Sequence, residues 1–479
     1  MISPFSSATE MLAALRGRQV SAVELLDLHV ERIERLNARL NVLVVKDFQA
    51  AAETARAADE ARARGDARPL LGLPITIKDC IDVAGLPGTA GVREFADRRP
   101  AEDGPVAAGL RAAGAVIVGK TNVPPWAGDW QADNPVYGRT NNPWDLARTS
   151  GGSTGGAAAV AAGLTPLELG SDVGGSIRLP AAFCGVYGHK PSETAVPRTG
   201  HFPGWPLPNP AGIMSVQGPL ARSAADLELA LEQIVGPEVG EDAAWRLELP
   251  PARHARLGNF RVAILPPVGW APLDGEVVAA LERVGALLGD LCARVAIAQP
   301  EGFGDLRDFF ATYYRLLAIR VGRAQSRQER LAEAERARAR AGIDTAWAEG
   351  LEADARDFLS HLDARERYRA AYRAFFRDWD VLVAPITLTT AFPHDRRPFA
   401  ERRLVVNGQP TRYNLQIVYP AVATLGGQPA TAVPIGLSSE GLPIGLQAIG
   451  PYLEDRTTIR FAELLGRELG GLARPPGYD

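Results

Sequence analysis

Apolar residues recur at helical spacing through the first forty positions, and a capping sequence stands before each of two such runs. Ser7–Glu10 (SATE) and Ser21–Glu24 (SAVE) set a hydroxyl three residues ahead of a carboxylate, so that each side chain can cap the other's backbone N–H. Residues 7–40 are therefore predicted to form two helices. AAETARAADEARARG continues as a polar-faced helix that stops at Gly65. The pattern then changes period: PLLGLPITIKDCIDVAG alternates β-branched and polar residues, which predicts a strand through Ile75 and Ile77 with Lys78 at its end. AAGAVIVGKTN, VAILPPVG and DVLVAPIT are short apolar runs of the buried-strand kind, and ATAVPIG with PIGLQAIGP reads as a closing pair of strands. Strands alternating with helices give an α/β fold around a mixed sheet. Residues 305–378 break the alternation, being rich in Arg, Glu and Ala. They are predicted to be a helical excursion within one domain spanning 1–479, because strands resume near 380 with no linker before them.

Composition narrows the function. With 479 residues, 46% of them hydrophobic, the chain can bury a large core. A net charge of -4 gives no reason to expect nucleic acid or an anionic membrane as partner. No apolar run approaches the roughly 18 residues of a membrane span, and the start does not read as a secretory signal, so a cytoplasmic setting is expected. Cys80, Cys184 and Cys292 are too few and too scattered for a disulfide framework or a zinc site. No metal or cofactor is expected. One bias matters more: among 52 Lys and Arg residues, the lysines are Lys46, Lys78, Lys120 and Lys190 alone. In so arginine-rich a chain, each lysine marks a place where arginine could fail to serve.

Two glycine-rich loops carry candidate chemistry. In ELGSDVGGSIRLPAAFCG, Gly174 and Gly175 precede Ser176, and glycines permit the backbone angles that turn successive N–H groups inward as an anion-binding nest. A lone GGS is more often a capped turn, so the sequence around it has to decide. In ARTSGGSTGGAAAVAAG, Ser153 lies within Gly151–Gly155, which fits G-x-S-x-G. That nucleophile elbow needs a buried strand before it, and NNPWDLARTS does not make one. What remains is one serine in each loop and a lysine at a strand end. A Ser–Lys system needs no histidine. Lysine, with an ordinary pKa of about 10.4, is almost wholly protonated near pH 7; lowering that by about three pH units costs roughly 4 kcal/mol and makes it a usable base. Arginine stays protonated and could not replace it.

At this point the chain resembles the amidase signature family. The resemblance rests on GLPITIKDCIDVAGLPGTAG, on GKTN through the Ser153 loop, and on LGSDVGGSIRLPAAFCGVYGHKP. It continues through GPLARSAADL, WDVLVAPI and TLGGQPATAVPIGLSSEGLPIGLQAIGP. It implies a large twisted mixed β-sheet covered by helices on both faces, with the signature region at 70–225. It also implies an acyl-enzyme mechanism: Ser176 as nucleophile, Ser153 as a bridging serine after a cis peptide, and Lys78 as base. The N–H groups of Val173, Gly174, Gly175 and Ser176 would form the oxyanion hole. Asp172 and Arg178 match bracing positions, and Thr154, where the family usually has serine, is expected to keep that hydroxyl's hydrogen bond. Lys120 and Lys190 are expected to be structural, His189 a substitution at a non-catalytic place, and Cys80 and Cys184 buried fillers.

Aromatic residues in Pro- and Gly-rich loops suggest a cleft. PPWAGDWQ and GHFPGWPLP place Trp126, Ala127, Gly128, Asp129, Trp130, Phe202 and Trp205 as candidate substrate-binding residues. The activity expected is hydrolysis of small amides bearing aryl or apolar groups, with esters and carbamates (urethanes) as further substrates that the resemblance allows. The enzyme would act as a monomer or homodimer. Two other readings stand beside it: the glutamine-hydrolysing component of a tRNA-dependent amidotransferase, and a catalytically silent binding protein on the same fold.

Overall fold

In the computed structural model, which describes residues 2–203 and 212–478, both predicted N-terminal helices form. They span Ala8–Arg16 and Ala22–Leu40, with Ser7–Glu10 and Ser21–Glu24 closed as reciprocal capping boxes. The polar-faced helix runs Phe48–Ala63, buries an alanine stripe, and leaves Gly65 at φ 92° to turn the chain.

Eleven strands form one mixed sheet. Their order across it is Leu43–Lys46, Val116–Thr121, Pro74–Lys78, Leu167–Asp172, Val216–Ala221, Tyr187–Lys190, Ala430–Leu437, Pro443–Ile449, Val381–Pro385, Arg261–Ile264 and Arg294–Ile297. Pro74–Lys78 lies parallel to both its neighbours, whereas Leu167–Asp172 runs antiparallel to Val216–Ala221. The closing pair Ala430–Leu437 and Pro443–Ile449 is antiparallel, as the sequence suggests. Pro74–Lys78, Val116–Thr121 and Leu167–Asp172 are buried at every position. The alternation around Ile75 and Ile77 therefore does not mark a solvent face. Thr76 and Lys78 point into a second, partly polar interior, because helices cover both sides of a central parallel strand.

The excursion is four helices, Arg307–Gly322, Arg327–Arg340, Asp344–Glu352 and Ala355–Asp378, placed between the strands Arg294–Ile297 and Val381–Pro385. The first carries Phe309, Phe310, Tyr313 and Tyr314 on its buried side. A hairpin of Arg403–Val406 and Gln409–Arg412 lies downstream. Its Asn407–Gly408 turn has φ of 52° and 75°, positive at both central residues as a tight hairpin with this twist requires.

Candidate active site

Lys78 ends a central strand, and the strand's burial carries its side chain wholly out of water. Its Nζ donates to Ser153 Oγ at 2.8 Å and to Ser171 Oγ at 2.9 Å. Burial pushes its pKa below the ordinary lysine value, while Cys80, Asp172 and Glu168 work in the opposite direction. Ser153 follows the Gly152–Ser153 peptide, which is cis. The loop is closed so tightly that a Cβ on Gly152 would lie 2.5 Å from the Asp129 carbonyl oxygen. Ser153 and Ser176, 1% and 6% exposed, line one cavity of about 560 Å³. The expected Lys78–Ser153 pair is therefore formed and Ser176 lines the same cavity, with Ser171 as a second hydroxyl on the lysine that sequence reading missed. A neutral amine bonded to one hydroxyl beside a second can pass a proton along the row.

The loop before Ser176 is held by its neighbours on every side. Asp172 accepts from Gly175 N at 2.9 Å and Ile177 N at 3.1 Å, and receives Arg178 Nη2 at 2.9 Å and Nε at 3.0 Å. Burial of Asp172 opposes its charge, yet Arg178 and these donors hold its pKa down to about 2. The Gly175 N–H is thus engaged by Asp172, which corrects the expected set of four oxyanion donors. Among the described residues no protein acceptor takes the N–H of Val173, Gly174 or Ser176.

Two side chains orient those peptides. Tyr313 donates its hydroxyl to the Val173 carbonyl at 2.8 Å, and Trp130 donates Nε1 to the Gly174 carbonyl at 3.1 Å. A trans peptide points its C=O and N–H in opposite directions. Anchoring the Val173 carbonyl therefore aims the Gly174 N–H away from Tyr313. Anchoring the Gly174 carbonyl aims the Gly175 N–H at Asp172. Trp130, 7% exposed, lines the cavity and also holds this loop, a role the sequence did not reveal.

The other sequence candidates divide between wall and scaffold. Trp126 is 45% exposed at the cavity mouth, with Trp126 and Ala127 both in the left-handed region at φ 54° and 55°. Its ring packs edge-on against Phe95 with centroids 5.5 Å apart. Gly128 and Phe202 line the cavity as expected. Asp129 lines it too, but its carboxylate is occupied by Arg402 and by the Tyr413 hydroxyl, the latter at 2.7 Å. Trp205 lies outside the described residues. Thr154 corrects an expectation, because its buried Oγ1 has no hydrogen-bond partner among the described residues and the side chain packs against Gly170. Lys120 donates to the carbonyls of Asp79 and Ile81 at 2.7 and 2.6 Å, and Lys190 to that of Pro191 at 2.8 Å. His189 is tied to Thr431 and Asp455. Cys80 and Cys184 are buried with their thiol pKa values raised by burial.

Much of the remaining wall comes from segments that sequence reading did not connect with the site. The excursion supplies Tyr314, Leu317, Val321 and Trp347, and the hairpin region adds Phe399, Arg402 and Tyr413. Asn-Gly between alternating residues was the available signal for the hairpin. Nothing in the sequence of the excursion marks which of its faces meets the cavity. Among the described residues no helix is long and apolar enough to cross a membrane.

The Amidase family profile matches residues 24–459. The chain is 35% identical to the indoleacetamide hydrolase of Bradyrhizobium diazoefficiens, covering 94% of this chain and 84% of that protein. It is 33% identical to one of the subunits of the glutamyl-tRNA(Gln) amidotransferase of Anaeromyxobacter dehalogenans, covering 97% of this chain and 96% of that protein. Among solved structures, 6-aminohexanoate cyclic dimer hydrolase complexed with substrate superposes with a TM-score of 0.79 at 26% identity, over 100% of each chain. With the mixed α/β sheet and these matches across nearly its whole length, the chain belongs to the amidase family and is a hydrolase of amide bonds.

Proposed function

We propose that Ser176 is the nucleophile of this amidase, activated through Ser153 by neutral Lys78, and that its preferred substrates are small amides carrying an aryl or apolar group. The observation that carries this reading is the fully buried Lys78 amine bonded to Ser153 in the cavity that Ser176 lines. Lys78 takes the Ser153 proton, Ser153 takes that of Ser176, and the Ser176 oxygen attacks the carbonyl. The N–H groups of Val173, Gly174 and Ser176 stabilise the oxyanion. The relay then returns a proton to the leaving nitrogen, and water, deprotonated by the same route, releases the acid. These steps call for no cofactor, nucleic acid or partner chain. We read the whole chain as one domain, working in the cytoplasm as a monomer or homodimer.

Trp126, Phe202, Leu317, Val321, Trp347 and Ile417 make much of the wall apolar. Burying an aryl group against such a wall contributes about 1.5–3 kcal/mol, or roughly ten- to a hundredfold in kcat/KM. The likeness to the amidotransferase component keeps glutamine as the competing substrate. Measuring kcat/KM for phenylacetamide, phenyl carbamates, acetamide and glutamine decides between them. Phenylacetamide is expected to lead acetamide and glutamine by at least about tenfold. Glutamine as the best substrate would overturn the reading.

A further inference from the structure

His201 takes no part in the relay or in the scaffold around it, yet it lines the same cavity as Ser153 and Ser176. It is 5% exposed, its Nε2 is buried without a hydrogen-bond partner among the described residues, and its Nδ1 lies 3.5 Å from Ser215 Oγ. The ring rests on Phe202, with centroids 4.4 Å apart. A buried polar atom left unpaired costs about 1–3 kcal/mol, a cost that His189 on the strand Tyr187–Lys190 avoids. Both ring nitrogens of His189 are bonded, at 2.9 Å to Thr431 and 3.1 Å to Asp455. His201 differs because its ring lines the cavity of Ser153 and Ser176, where a ligand can lie.

The chemistry of that ligand follows from the surroundings. Burial above all, with the positive charge of Arg320 beside it, holds the His201 pKa well below its ordinary value, so the ring is neutral and carries one N–H. A Ser215 hydroxyl that turns its proton toward Nδ1, 3.5 Å away, leaves the ring proton on Nε2. Arg320 lines the same cavity, which disfavours a cationic group there and favours an oxygen with lone pairs. We propose that His201 and Ser215 form a polar subsite of the substrate cavity, which takes a second acceptor oxygen (a carbonyl or carboxylate) on an otherwise apolar amide. This rests on the reading of the cavity as the substrate site. A site built to pair with an oxygen rejects an analogue lacking it, because its own donor is then stranded.

The test uses two probe series, acetyl-substituted phenylacetamides and acetyl-substituted acetanilides at the 2-, 3- and 4-positions. Each is compared with the isopropenyl isostere that lacks the oxygen. At one position at least, the wild type is expected to favour the acetyl member by about tenfold in kcat/KM. In His201→Phe that ratio should collapse toward one, and His201→Gln, which keeps a donor, should restore part of it. A wild-type ratio near one at every position in both series would overturn the proposal. So would a His201→Phe enzyme that slows both members of a pair equally. Failure of the underlying reading looks different: a fluorophosphonate would then not label Ser176 at all, whatever the ratios.

Discussion

Changing Tyr313 to Phe removes one oxygen from a ring that is fully buried and does not line the cavity. The lost hydroxyl is the donor that holds the Val173 carbonyl at 2.8 Å, and so the direction of the Gly174 N–H. The hydrogen bond itself has a net worth of about 0.5–1.5 kcal/mol, which sets how far the peptide population can shift, roughly two- to tenfold. Complete loss of one oxyanion donor costs about 10²–10³ in kcat and is the ceiling. Tyr313→Phe should therefore lower kcat roughly two- to tenfold with KM unchanged, since the phenol touches no substrate. Steady-state assays with phenylacetamide give the two constants. The inhibition constant of an aryl trifluoromethyl ketone, which forms an oxyanion on the nucleophile, should weaken by the same factor. A raised KM with kcat unchanged, or a lower melting temperature with kcat and inhibitor binding intact, would show that the Tyr313 hydroxyl does not orient the Gly174 N–H.

Lys78→Arg should be as inactive as Lys78→Ala in the same assay, because arginine cannot lose its proton. With burial lowering the Lys78 pKa, kcat/KM should rise with pH as the amine deprotonates and level off below the ordinary lysine value of about 10.4; a flat profile across that range contradicts the assignment. Trp130→Phe should depress turnover of acetamide and phenylacetamide alike, because the indole N–H holds the Gly174 carbonyl, whereas Trp126→Ala should raise KM mainly for the aryl substrate. Asp172→Asn strips the buried Arg178 of its counter-charge and should destabilise the fold by about 3–5 kcal/mol, read as denaturant midpoint. Because the Asp172 pKa is depressed to about 2, its contribution is present in full above roughly pH 4 and fades as pH falls toward 2.

The elements legible in the sequence are those whose local signal agrees with the tertiary outcome. Ser7 and Ser21 cap helices because the capping box is a local interaction, and of the four lysines that their scarcity singled out, Lys78, Lys120 and Lys190 are fully buried whereas Lys46 is exposed. Ser176 and Ser153 were visible through their glycines, whose conformations are set within a few residues. What stayed hidden depends on pairs far apart in the chain. Tyr313 meets Val173 across 140 positions, and Asp129 meets Tyr413 across 284. Thr154 keeps no hydroxyl partner among the described residues, and its side chain takes the place that a Cβ on Gly170 would need, a packing fact that no local pattern carries. Trp130 reads as a cleft aromatic from its Pro- and Gly-rich loop, and only the fold shows where its N–H goes.

The measurement closest to the central claim is site-resolved labelling by a fluorophosphonate, followed by peptide mass spectrometry. One adduct is expected, on Ser176, formed faster as pH rises, absent in Ser176→Ala, and slowed by orders of magnitude in Lys78→Arg. An adduct on Ser153 in the wild type, or undiminished labelling of Ser176 in Lys78→Arg, would contradict it.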